Sequence, residues 1–126
     1  MMLKTILIIG TGGFLGSISR YGVSLLTTKW WGNGFPWGTL TVNILGSFLI
    51  GVIYGLAVQN DWLTADMRLF LAIGFCGSFT TFSTFSYDII QMINTGHFIY
   101  TALYVAGSIL LGLMAVFAGI GLFKLA

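Results

Sequence analysis

The stretch GFCGSFTTFSTFSYD, Gly74 to Asp88, decides how this chain folds. It carries six serine and threonine hydroxyls (Ser78, Thr80, Thr81, Ser83, Thr84, Ser86), four phenylalanines and one acid. Everything around it is apolar. Glycine costs a helix backbone entropy, and short hydroxyl side chains compete for its hydrogen bonds, so the segment is a poor helix former. Yet it sits where the surrounding hydropathy asks for a helix across a membrane.

The composition makes that demand firm. The chain has 126 residues, of which 6% are charged, and a mean hydropathy of +0.99. A soluble domain carries roughly 25% charged residues. This chain cannot cover itself with a wetted surface and reads as an integral membrane protein of one domain, residues 1–126. A net charge of +2 is too small and scattered for a nucleic-acid surface. The single cysteine, Cys76, rules out an internal disulfide. The start, MMLKTILIIGTGGFLG, has the look of a signal peptide, but its apolar run continues to Arg20 and reads as a retained first helix.

A hydrocarbon core about 30 Å thick takes about 20 helical residues. Four segments reach that length, from about Leu3 to Leu26, Trp37 to Val58, Asp66 to Ile93 and Phe98 to Phe123. The linkers TTKWWGNGFP, QNDWLTA and NTGH hold breakers or polar groups. All four tryptophans (Trp30, Trp31, Trp37, Trp62) fall at expected span ends, where an aromatic belt belongs.

Four spans put both termini and the second linker on one side, with Lys4, Arg68 and Lys124. Lys29, Arg20 near the end of span one, and His97 when charged lie on the other. So even a balance gives little orienting instruction. One expectation is insertion in both orientations, pairing as an antiparallel dual-topology homodimer. The other is a weakly biased single topology.

Lipid gives no hydrophobic drive between helices, so small residues mark packing faces. Span two has Thr39, Asn43, Ser47, Gly51 and Gly55 at four-residue spacing, span one has Gly12, Gly16 and Arg20, and span four has Tyr100, Tyr104, Ser108 and Gly112. The glycines read as packing. Asn43 is either packing glue or a ligand-facing donor, because a buried amide in lipid needs partners. Arg20 reads as a structural anchor.

Span three, at about 28 residues, would extend roughly 42 Å as one helix, longer than the core requires. A break fits between 75 and 82, in GFCGSFTTFS. Irregular backbone at that depth survives only if protein or a water-filled cavity shields it, and such breaks build ion sites. Freed carbonyls, as at Gly77 and Thr80, suit a hard cation, while helix N-termini and hydroxyl donors suit an anion. Phe82 and Phe85 share a helix face. They are either an aromatic packing stripe or a pair of rings whose positive edges face a small anion.

Three motifs, GGFLGSISRY (Gly12–Tyr21), GTLTVNILGSFLIG (Gly38–Gly51) and GFCGSFTTFSTFSYD, resemble in order the signature stretches of the Fluc (CrcB) fluoride-channel family. The likeness covers essentially the whole chain. It implies an all-α, four-helix membrane protein with a broken third helix, working as a dual-topology homodimer in the bacterial inner membrane and passively exporting fluoride. It implies that Asn43, Phe82 and Phe85 line the fluoride pore, with Thr81, Thr84, Tyr104 and Ser108 as a polar track. It also implies that the Gly77 and Thr80 carbonyls of both subunits hold a structural Na+, and that Arg20 is structural. Gly112 lies where some relatives have a hydroxyl, so one donor of the track is missing.

The rival is a small dual-topology proton-coupled multidrug exporter. That chemistry needs a membrane-embedded acid, usually in the first span. This chain has no glutamate, and Asp88 is the only acid inside a span away from its ends. An enzyme is not expected, since one His and one Cys form no nucleophile or acid–base cluster.

Overall fold

The computed structural model describes residues 1–59 and 63–124. Residues 60–62, and with them the boundary reading of Trp62, lie outside the described residues. Helix α1 is Met2–Trp31 and α2 is Trp37–Gln59. Then come α3 (Ala65–Arg68), a π-helical stretch (Leu69–Cys76), α4 (Gly77–Phe79) and α5 (Phe82–Asn94). Helix α6, Phe98–Lys124, ends the series. Four helical runs, Met2–Trp31, Trp37–Gln59, Ala65–Asn94 and Phe98–Phe123, are long and apolar enough to cross a membrane. No strand occurs among the described residues. The chain is an all-helical, multi-pass membrane protein.

Helix α1 runs past its expected end near Leu26, because nothing in TTKWW stops it. Thr27 and Thr28 are compatible with the ladder: the Thr27 hydroxyl donates back to Val23 O at 3.0 Å, and Lys29 in the last turn suits the negative end of the helix dipole. The stop is Gly32, whose φ of 77° a side chain would resist. Thr64 caps α3, accepting from Met67 N–H at 3.2 Å. Helix α5 ends in a Schellman arrangement. Gly96, at φ 79°, donates to Ile93 O at 3.0 Å, and His97 N–H reaches Met92 O at 2.9 Å.

Two seams hold the bundle. Helix α2 packs along α6, and α1 packs along the π-helical stretch and α4. Both seams are backbone against backbone. A Cβ at Gly16 would run into the Phe75 carbonyl, and one at Gly51 into the Val116 carbonyl. Gly12 meets Phe70 O in the same way. The expected packing faces of spans one and two are therefore where the contacts are. Span four is less uniform: Tyr104 is fully buried while Tyr100 is 55% exposed. At the membrane edge Lys4 pairs with Asp66 at 3.0 Å, tying α1 to α3.

Candidate functional site

The third span changes character at its middle. After the wide turns of Leu69–Cys76 and the single turn α4, Thr80 (φ −83°, ψ 158°) and Thr81 (φ −152°, ψ 121°) are extended. Thr81 then starts α5 as its N-cap, its Oγ1 accepting from Thr84 N–H at 3.1 Å. Thr80 turns both its N–H (3.1 Å) and its hydroxyl (2.9 Å) back onto Cys76 O.

This local geometry redistributes the backbone hydrogen bonds. Thr81 N–H leaves the helical ladder and donates to Asn43 Oδ1 at 2.8 Å, while Asn43 Nδ2 donates to Thr81 O at 3.1 Å. The Asn43 amide thus completes both backbone groups of Thr81, and its second Nδ2 hydrogen remains for another acceptor. Arg20 Nε, reaching across from α1, donates to Ser78 O at 3.1 Å. The carbonyls of Gly77 and Thr80 receive no backbone N–H among the described residues. Gly46 lets α2 come this close, since a Cβ there would collide with the Thr80 methyl.

A groove of about 450 Å³ opens on this junction. Of the residues expected at the site, Asn43, Gly77, Thr80, Thr81, Phe82, Phe85 and Ser108 line it. The Phe82 and Phe85 rings lie 6.0 Å apart at 47°, and Phe82 is 78% exposed, so the groove is open along one side of a single chain. The buried Ser108 Oγ has no hydrogen-bond partner among the described residues.

Thr84, Tyr104, Arg20 and Gly112 are not in the lining. Thr84 is engaged through its backbone in the cap of α5. Tyr104 sends its hydroxyl to Asp88 Oδ2 at 2.9 Å and reaches the site only through its ring, 5.0 Å from Phe85. The resemblance sets Tyr104 with Ser108 in the polar track. In the fold its O–H has an acceptor on another helix. The lining also includes Ser47 and Cys76. Ser47 was legible, because it follows Asn43 by one turn. Its Oγ lies 3.7 Å from where a Cβ would stand at Gly112, so a hydroxyl from α2 borders the place where span four lacks one. Among the described residues no three His, Cys, Asp or Glu side chains gather as a metal site.

The arrangement defines a class: a multi-pass helical membrane protein with an intramembrane groove that offers N–H, O–H and ring-edge groups and no charged side chain. The sequence profile of the CrcB-like protein, Camphor Resistance (CrcB), family matches residues 7–120, and the chain belongs to that family. A Chlorobaculum tepidum protein named fluoride-specific ion channel FluC is 48% identical over 125 residues, 99% of this chain and 98% of the relative. A Leptospira interrogans protein of the same name is 46% identical over 125 residues, 96% and 95% of the two chains. One from Chlorobium phaeobacteroides is 44% identical over 120 residues, 95% and 93%. The family expected from the three motifs is thus the family found.

Proposed function

We propose that this chain is a fluoride-selective channel that passively exports fluoride across the bacterial inner membrane and so lowers cytoplasmic fluoride. The observation that carries the reading is the unpartnered Ser108 hydroxyl in a groove shared with Asn43, Phe82 and Phe85. Fluoride is small and strongly hydrated, so it gives up water only where close donors replace it. The free Nδ2 hydrogen of Asn43 and the hydroxyls of Ser108, Ser47 and Thr81 are such donors. The edges of Phe82 and Phe85 carry partial positive charge. None is a fixed cation, which lets the ion leave as readily as it enters. Closed by a second chain, the groove would be narrow enough to discriminate against the larger chloride ion.

The working unit in this proposal is an antiparallel homodimer of two oppositely inserted chains. The open side of the groove, with Phe82 and Gly77 exposed, supports a second copy as its missing wall. The even distribution of basic residues supports two orientations. A tag on the C-terminus reached from only one side of the membrane would overturn the dual topology. The Gly77 and Thr80 carbonyls, left without backbone donors, fit a hard monovalent cation. We assign them as the oxygens that hold a structural Na+ at the interface. Bound there, sodium would neutralise carbonyl dipoles that lipid cannot solvate.

The exporter reading finds no support in the relatives' names. Its only acid away from the span ends, Asp88, already accepts the Tyr104 hydroxyl. Fluoride efflux from liposomes holding the purified protein, with chloride-loaded liposomes as control, tests the proposal. Rapid fluoride release without chloride release is expected. Equal release of both, or of neither, would sink it.

A further inference from the structure

We propose that Phe35, in the first linker, is a positioning residue that aims the Phe85 ring into the groove. The inference rests on the reading of Phe85 as a pore ring. It comes from a series of rings linking the membrane edge to the site. Trp31 stands 5.6 Å from Trp37, Trp37 4.7 Å from Phe35 and Phe35 5.4 Å from Tyr104. Tyr104 then stands 5.0 Å from Phe85.

Phe35 is itself held. Trp37 N–H donates to Phe35 O at 2.8 Å, closing a tight turn, and Pro36 restricts that turn through its fixed φ. Its ring leans on Trp37 at 48° on one side and meets Tyr104 edge-to-face at 84° on the other. Tyr104, 0% exposed, is pinned at its hydroxyl by Asp88. Hydrogen bonding at the tip, to Asp88 and with the Thr39 hydroxyl also in reach, fixes the end of the ring but leaves the ring plane free to turn about that end. Phe35 and Phe85 are the rings that flank it, so Phe35 sets the tilt and Phe85 receives it. Asp88 lies one helical turn from Phe85 on the same face of α5, so a shift of Tyr104 acts on Phe85 through both contacts.

Aim matters because a phenyl ring has opposite signs at edge and face. A Phe85 ring that loses its backing and swings its face toward the groove would repel the anion that its edge attracts. Bulk alone does not restore this, since an aliphatic side chain at 35 fills space without holding the Tyr104 ring at a fixed angle.

The test uses the full-length protein with para-fluorophenylalanine at position 85 as a fluorine NMR reporter, alongside fluoride efflux from liposomes. Phe35→Leu should slow efflux about fivefold, the scale of one aromatic pair, and move the position-85 resonance. Phe35→Tyr, which keeps the ring, should leave both near the parent. Should Phe35→Leu aggregate, Phe35→Met takes its place with the same expectations. An unmoved resonance, parental efflux in the Leu variant, or equal loss in the Leu and Tyr variants each overturns the proposal. Parental efflux in Phe85→Ile would instead remove the pore reading on which it stands, and is told apart because it needs no change at Phe35.

Discussion

The side-chain amide of Asn43 pairs with the main chain of Thr81 through two hydrogen bonds, accepting at Oδ1 (2.8 Å) and donating from Nδ2 (3.1 Å). A side chain on α2 thus supplies what the helical ladder of the third span gives up. Asn43→Ala leaves both Thr81 groups unpaired at bilayer depth, and each buried orphan costs about 1–3 kcal/mol. The unfolding midpoint in detergent should fall clearly. Asn43→Asp, when ionised, loses the donor to Thr81 O and sets a negative charge against the anion. Its efflux should fall further than that of any phenylalanine variant, as read with a fluoride electrode.

Ser108→Ala separates stability from conduction. The hydroxyl has no partner to lose among the described residues, so removing it relieves an unsatisfied polar atom. The melting temperature should hold or rise while fluoride efflux drops. A variant that melts lower would show that Ser108 Oγ serves packing.

Phe82→Ile and Phe85→Ile keep bulk and remove the positive ring edge. Each should slow fluoride efflux at least about tenfold, equivalent to about 1.4 kcal/mol on the barrier, with the elution volume in size-exclusion chromatography unchanged. Parental rates in both would mark the rings as packing only.

Two glycines in α1 should behave oppositely. Gly16→Ala drives a methyl into the Phe75 carbonyl, and overpacking against backbone costs about 1–3 kcal/mol. Gly22 has nothing within 4 Å of the same methyl, so Gly22→Ala should be neutral or slightly stabilising. Yield of monodisperse protein and the melting temperature distinguish them.

If the proposed sodium site exists, replacing sodium by a bulky organic cation such as N-methylglucamine should lower the stability of the purified protein, because the Gly77 and Thr80 carbonyls would lose the cation they coordinate. Identical melting curves in the two salts would argue against a sodium site there.

Much of this was readable in the residues. Hydropathy marked four spans, and small residues at four-residue spacing marked the faces of α1 and α2 that pack. The groove gathers Asn43, Phe82, Phe85 and Ser108 from three different spans. What escaped was set by partners far away in the chain. That Asn43 binds a main chain leaves no trace in side-chain identity. Tyr104 shares a helical stripe with Ser108, but its hydroxyl follows an acceptor on α5, and only the packing of α5 against α6 decides that. Helix α1 runs past the expected end near Leu26, because its stop is the positive φ of Gly32, which hydropathy does not mark. The wide turns of Leu69–Cys76 have no marker in an apolar run such as LFLAIGFC.

The glycine seam between α1 and the third span has a thermodynamic side. A contact made by main chain against main chain has no rotamers to freeze, so its formation loses almost none of the side-chain entropy that long residues give up on burial. Inside a bilayer, where apolar burial provides no drive, the close van der Waals contact of this seam is therefore opposed by little lost entropy. The same seam cannot absorb an error. No side chain stands between Gly16 and Phe75 O to rotate aside, so any added atom must be answered by moving a whole helix, and Arg20 with its hold on Ser78 moves with it.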